Sequence, residues 1–312
     1  MQDNARKLTY GAMMIALFAV LFAVSLFIPL LGSVTLFFIP LPIMLYRLRY
    51  DRSASLLVAV AAVLISALLG GFLSIPAALT LVVIGFVMGE AVRAGKSKFY
   101  TVMAAGTALL LSIVATYVGG VLFFQFNAID AMMDMFQQAQ QRMTDFMSDM
   151  GTLPEDAQKT IDDTFQYYRS TIPAMVMLSS LFGGYLFVAA NFYTAGRVGA
   201  DVQKFPPFRE MKLPFATIVV YAAVVLLSFF LGKDTTSTGY LIYMNAILIL
   251  RFAFLLQGLS LIYYFLHERK TPRAVTVIAT IFALMLNPMT ILLGTLDTAI
   301  NIRAWIGNDK VN

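Results

Sequence analysis

The chain has 312 residues, of which 60% are hydrophobic and only 12% are Asp, Glu, Lys or Arg. A soluble domain is nearer half apolar and a quarter charged, so composition excludes a conventional soluble enzyme, a disordered chain and a disulfide scaffold. With no cysteine, one histidine and a net charge of +5, thiol chemistry and a multi-histidine metal centre are excluded too, and the modest basic excess is needed in loops beside a bilayer before it is available to nucleic acid.

These constraints predict an all-α fold, a polytopic transmembrane helical bundle. A crossing helix needs roughly 20 mostly apolar residues, and nine candidate segments follow in order: about 8–30, 33–46, 53–70, 73–92, 99–126, 171–196, 213–232, 239–266 and 273–296. The first has a basic flank and an apolar run but no convincing cleavage site, so it reads as a retained helix. Its Ala12, Ala16, Ala19 and Ala23 step by four, three and four and share one face. Small residues let helices approach closely in lipid, so this face either packs within the chain or docks another membrane subunit. The second segment carries Pro40 and Pro42, which bend a helix. It reads as a short kinked crossing or as a broken helix buried by its neighbours. Gly70 and Gly71 separate the third and fourth segments as a tight hairpin. Glu90, beside Gly89 and Arg93 at the inner end of the fourth, suits an interfacial salt bridge or a ligand or coupling role. Small residues recur at Gly85, Gly89 and Gly183–Gly184.

Residues 127–170 form a distinct insertion with eight of the chain's 17 acids: Asp130, Asp134, Asp145, Asp149, Glu155, Asp156, Asp162 and Asp163. Met132, Met133, Phe136, Ala139, Met143, Phe146, Met147 and Met150 recur at helical spacing. Gly151 to Pro154 marks a turn, and Ile161, Phe165 and Tyr168 line one side of a second amphipathic helix. The expectation is a helical hairpin over the outer mouth of the bundle. It serves as a lid over an outward-facing cavity, as an element that docks another protein or lies on the bilayer surface, or as a structural loop whose Met and Phe stripe packs on the bundle. The chain thus divides into N-terminal helices at 1–126, the insertion at 127–170 and C-terminal helices at 171–312.

The later segments contain the polar residues at membrane depth. Asn191 lies near the inner end of the sixth. Arg251 sits near the middle of the eighth, about 18 Å from either end, too deep to reach the interface with its side chain. A charge there is costly unless paired or hydrated, so Arg251 is expected to face the bundle interior or an aqueous cavity. Its candidate partners are Asp297, Asn287, Asn191 and Glu90, with Asp297 favoured. These five residues are the ligand or coupling candidates, and a purely structural pair fixing the eighth segment against the ninth is the competing reading.

Basic residues set the orientation. Clusters at Arg6–Lys7, Arg47–Arg52, Arg93–Lys98, Arg197–Lys212 and His267–Arg273 fall on one face of a nine-crossing chain. The positive-inside rule makes that face cytoplasmic, with the N-terminus inside and 127–170 extracytoplasmic. Nine crossings put the C-terminus outside, where Arg303, Asp309 and Lys310 decide little. A break at Asn287-Pro288 would make the end re-entrant and leave it inside. Neither GxxxxGK[ST], GxSxG nor HExxH occurs. The reading is of a protein that is not an enzyme, with no catalytic residues, no metal and no cofactor.

The stretches KLTYGAMMIALFAVLFAVSLFIPLLG, GFLSIPAALTLVVIGFVMGEAVRAGKS and NPMTILLGTLDTAINIRAW resemble the YybS-type family of multi-pass membrane proteins from Firmicutes. That resemblance implies a bacterial cell-membrane location and a fold. The first two-thirds more distantly resemble the S components of energy-coupling-factor vitamin transporters. Those have six helices, bind a small ligand near the outer face, and dock their coupling subunit through an alanine-rich first helix, to which Ala12, Ala16, Ala19 and Ala23 correspond. S components lack the helices found after residue 212 and the 44-residue insertion. Two functional readings stand. One is a transport-related protein, a substrate-binding subunit without its own ATPase, with a small-molecule substrate and a second membrane subunit as partners. The other is a non-catalytic scaffold or regulatory partner of envelope or signalling proteins.

Overall fold

The computed structural model describes residues 2–150, 157–203, 206–231 and 237–304. Its regular structure is helical: α1 (Gln2–Phe27), α2 (Pro29–Thr35), α3 (Leu41–Arg49), α4 (Arg52–Gly70), α5 (Ile75–Arg93), α6 (Lys98–Phe124), α7 (Ala128–Asp149), α8 (Ala157–Arg197), α9 (Ala216–Ser228), α10 (Thr238–Glu268), α11 (Arg273–Met285) and α12 (Asn287–Ile300). Among the described residues seven helical stretches are long and apolar enough to cross a membrane, and α11 with α12 makes an eighth if that pair is one span. The protein is an all-α polytopic membrane protein.

Against the nine expected crossings, the described residues hold seven or eight helices long and apolar enough to span. The segment at 213–232 forms only α9, of 13 residues, whereas a crossing helix needs about 20. The segment at 273–296 is bent by 102° between α11 and α12. The bend falls where Leu286 leaves helical geometry (φ −91°, ψ 43°) and Pro288 opens the next helix, as the proline's missing N–H requires. The second expected segment is a broken helix. It runs as α2, one 3-10 turn and α3, with Pro40 as the N-cap of α3, and together Pro29–Arg49 are long enough to span. Between α4 and α5 the hairpin turns on Gly71 at φ +72°, a conformation glycine adopts without penalty. The Ser74 hydroxyl closes it by donating to Ser66 O at 2.8 Å.

The chain falls into two compact units, 1–138 with 176–205, and 139–175 with 206–312. In the first unit α1 packs on α4 and α3, α3 on α5, and α5 on α6. The core holds Phe18, Ile43, Met44, Ile84, Met88 and Val188, all fully buried. Helices approach closely where glycines allow it. A methyl group at Gly184 would lie 2.5 Å from Gly106 N, and one at Gly85 would lie 2.5 Å from Pro40 O. The glycine faces are therefore spent on packing within the unit. α1 differs. It buries Gly11, Met14, Phe18 and Phe22, while Ala12 and Ala16 are exposed and Ala19 and Ala23 half-buried.

In the insertion, α6 ends at Gln125 in the left-handed region (φ 51°). Asn127 then caps α7 by accepting from the N–H groups of Ile129 and Asp130. The second arm is not a separate helix. α8 runs unbroken for 41 residues and takes in both the expected second amphipathic helix and the sixth apolar segment. The expected turn at Gly151 to Pro154 lies outside the described residues. The apolar stripe of α7 is mostly uncovered: Met132, Met143, Phe146 and Met150 are exposed and Met133 is buried.

In the second unit α10 crosses α12, with α9 and α11 also against α10. Gly258 and Gly294 mark the crossing. A methyl group at Gly258 would lie 2.0 Å from Thr290 O, and one at Gly294 2.0 Å from Phe254 O. Pro173, inside α8, is repaired from α10. Asn245 Oδ1 accepts from Ala174 N–H at 2.8 Å and its Nδ2 donates to Ser170 O at 2.7 Å. One side-chain amide thus replaces the backbone bond that would have joined Ala174 to Ser170.

Candidate functional site

The second unit holds a buried polar knot where the chain end returns to α10. Asn301 follows α12 in the left-handed region (φ 52°) and its N–H donates to Asp297 O. Asparagine tolerates that geometry. The reversal carries Arg303 back onto Asp297, with Nε donating to Oδ2 at 2.9 Å. Both side chains are almost completely buried, at 3% and 1% exposed. Gln257 Nε2 donates to the same oxygen at 2.6 Å. Two further Arg303 donors reach Arg209 O at 2.6 Å and Ser260 Oγ at 3.1 Å. The 206–213 stretch is tied in by Ser260 donating to Phe208 O at 2.7 Å and by Leu213 N–H donating to Gln257 Oε1 at 3.0 Å. A buried ion pair needs such additional hydrogen bonds to offset desolvation. Asp297 Oδ1 is buried and accepts no hydrogen bond among the described residues, so both lone pairs of that oxygen stay open.

Arg251 is not part of this knot. The expected Arg251–Asp297 pair does not form, because Arg303 and Gln257 occupy the carboxylate. Nor is Arg251 in the interior: it is exposed, and among the described residues it makes no hydrogen bond or ion pair. Ile247 and Phe254, one turn to either side, are buried. Arg251 lies seven residues from Gly258, about 10 Å along α10, beyond the point where α12 crosses. Asn287 is also exposed, at the α11–α12 bend.

The other two candidates belong to the first unit, and neither meets Arg251. Asn191 is fully buried. Its Nδ2 donates to Phe37 O at 2.8 Å and Phe187 O at 2.7 Å, and its Oδ1 is buried without a hydrogen bond from the protein. Glu90 is held by Arg47, whose Nε donates to Oε2 at 2.7 Å, and by Arg52. The salt bridge foreseen for Glu90 exists, with different partners: Arg93 donates instead to Tyr50 O. Lys7 pairs with Asp51, and Arg49 lies 4.6 Å from the Tyr10 ring centroid. The basic residues flanking α1, α3, α4 and α5 therefore gather at one end of this unit. Asp51 carries two loads there. The hydrogen bond from Lys7 and then the Ala54 N–H hold its carboxyl at about 2, well below the usual carboxylate range.

Each unit has an open cavity. In the first, about 850 Å³ lies among Tyr10, Met13, Leu17, Leu45, Arg49 and Asp201. In the second, about 510 Å³ lies among Arg209, Glu210, Lys212, Tyr264, Asn301 and Arg303. Among the described residues no group of three or more His, Asp or Glu side chains is placed to hold a metal ion. Sequence reasoning missed Arg303 and Gln257. The available signals were the Asp297–Arg303 spacing across an Asn, a residue that tolerates the left-handed region, and a Gln inside an apolar helix.

Residues 16–298 match a family model described as "Predicted membrane protein (DUF2232)". The chain belongs to the DUF2232 family. It is also similar to the "Uncharacterized protein YybS" of Bacillus subtilis (strain 168), with 28% identity over 307 residues covering 96% of this chain and 98% of that protein. No solved structure matches. The family match and the long apolar helices agree on a multi-pass bacterial membrane protein. The DUF2232 match spans both units, including the α10–α12 crossing and Asp297, and stops short of Arg303.

Proposed function

We propose that this DUF2232 protein is a transport-related membrane protein, a substrate-binding subunit that works with a second membrane component and hydrolyses no ATP itself. The observation that carries the reading is Arg251. A guanidinium near the middle of a 31-residue apolar helix costs about 3 kcal/mol on insertion scales unless charge or water meets it. Among the described residues the chain supplies no counter-charge, so an anionic substrate in a hydrated path supplies it. The exposed Ala12 and Ala16, with Ala19 and Ala23 beside them, offer a smooth face on α1 for the partner, as the S-component resemblance implies. Asp297, Asn191 and Glu90 then hold the helices in place, and neither they nor Asn287 touch the substrate. The positive-inside rule puts the N-terminus in the cytoplasm and 127–170 outside.

A scaffold is the second reading, favoured by the uncovered Met and Phe stripe of α7. Purification of the full chain in mild detergent, with copurifying proteins and small molecules identified by mass spectrometry, separates the two. Transport predicts an ATPase module together with an anionic metabolite, the metabolite being lost in Arg251→Ala. A stable envelope partner without a metabolite, recovered equally with Arg251→Ala, would sink the transport reading.

A further inference from the structure

The cavity of about 510 Å³ in the second unit has a chemistry that neither the transport reading nor the family match uses. Its walls are rich in unspent donors. Among the described residues Lys212 Nζ donates once, to Asn301 Oδ1 at 3.2 Å, which leaves two N–H groups. Arg209 is partly exposed, and among the described residues its only ionic neighbour is Glu210, with a long contact of 3.9 Å. Arg303 has five N–H donors, of which Nε, one Nη1 and one Nη2 are directed to Asp297, Arg209 O and Ser260. Asp297 already balances the charge of Arg303, so Arg209 and Lys212 against Glu210 give the cavity a net positive charge. A wall of planar and point-like cations with free N–H groups suits the oxygens of a phosphoryl group.

The position of the cavity narrows the source. Tyr264, which lines it, sits at the end of α10 that carries Tyr263 and runs directly into His267, Arg269 and Lys270. Tyrosine followed by a basic turn is the pattern of a membrane–water interface. Basic pockets at that depth receive anionic headgroups. Arg303 is nine-tenths buried and more, and is fixed by the knot, so the cavity has one rigid wall.

We infer that this cavity binds a phosphoryl anion through Arg209, Lys212 and the remaining donors of Arg303, and that a phospholipid headgroup is its natural occupant. The site is independent of Arg251 and of whether the protein transports anything.

The test uses the full-length protein in nanodiscs and in mild detergent, with phosphatidylglycerol, phosphatidylcholine and inorganic pyrophosphate as probes. Native mass spectrometry and the unfolding midpoint report retention. The wild type should keep phosphatidylglycerol and be stabilised by it over phosphatidylcholine. Arg209→Gln/Lys212→Gln, which leaves the buried knot intact, should weaken that retention roughly 30-fold, from about one charge-contact's worth per residue. Arg269→Gln/Lys270→Gln, in the neighbouring basic turn, should change it less than threefold. Pyrophosphate that stabilises the detergent-solubilised protein and displaces phosphatidylglycerol in the wild type only would keep the site and show that soluble phosphates also enter. Equal losses in the two double variants would reduce the effect to general surface charge and overturn the site. So would phosphatidylglycerol retention unchanged in Arg209→Gln/Lys212→Gln.

Discussion

Around α10, the stretch at Gln257 and Ser260 and the middle at Arg251 meet a guanidinium in opposite ways. Arg303 is buried and surrounded by a carboxylate, a backbone carbonyl and a hydroxyl, all from its own unit. Arg251 is exposed and makes no such contact among the described residues. The difference follows from the helix crossing. Gly258 and Gly294 bring α10 and α12 together where Asp297 can reach Gln257, and the left-handed turn at Asn301 returns the chain onto that carboxylate. About 10 Å further along α10 there is no such cover. A charge enclosed by its own chain is a fold determinant. A charge left open at membrane depth is free to act on something else.

The contrast breaks most sharply at Asp297. Asp297→Asn leaves Arg303 buried without its counter-charge and should lower stability by about 3–5 kcal/mol, read as unfolding of the detergent-solubilised protein. Asp297→Leu/Arg303→Leu should recover most of that loss, since it removes both charges. Full stability in Asp297→Asn would mean that the knot contributes nothing. Next in size is Asn245→Leu, which strands Ala174 N–H and Ser170 C=O beside Pro173. A loss of about 2 kcal/mol is expected, together with faster amide exchange confined to the middle of α8. Arg251→Gln should shift the stability of the isolated chain by less than about 0.5 kcal/mol, because no partner within the chain is lost. A drop comparable to that of Asp297→Asn would place Arg251 among the structural charges.

The smallest effect is at the first unit's charged end. The Asp51 carboxyl titrates at about 2 in the folded protein, against about 3.9 in an unfolded chain. The folded value is depressed, so the stabilisation is present above pH 4 and fades as pH falls through 2. Asp51→Asn should flatten the acid limb of the unfolding midpoint measured from pH 5 to pH 2. An unchanged acid limb would mean that the Lys7 and Ala54 contacts do not favour the charged form.

Much of the helical plan is legible in the sequence, because long apolar runs and glycine hairpins act locally. The α4–α5 turn at Gly70–Gly71 and the broken second segment follow from glycine and proline alone. Arg251 stands out for the same reason, as one charge in an apolar run. What escapes is the knot. Asp297, Arg303 and Gln257 belong together only after α12 bends by 102° from α11 and Asn301 reverses the chain, and neither event is visible in hydropathy. Asn245 escapes in a similar way. Six residues from Arg251, it points to a proline on another helix, a pairing that no single-helix periodicity reveals. The α1 alanines illustrate a different limit. Their spacing is the same as that of a packing face, and only the burial of Met14, Phe18 and Phe22 on a neighbouring face shows that packing within the chain uses other residues.

The chain has no cysteine, so a single introduced thiol reports unambiguously on access at Arg251. Only the thiolate reacts, and a thiolate needs water or charge beside it. In the purified full-length protein, Arg251→Cys should react with a membrane-impermeant methanethiosulfonate reagent within about tenfold of the rate of Ser53→Cys, at the exposed start of α4, while Val188→Cys, at a fully buried position, should be inert. An unreactive Arg251→Cys, as slow as Val188→Cys, would show that position 251 is sealed from water and would contradict the assignment of Arg251 to an aqueous ligand path.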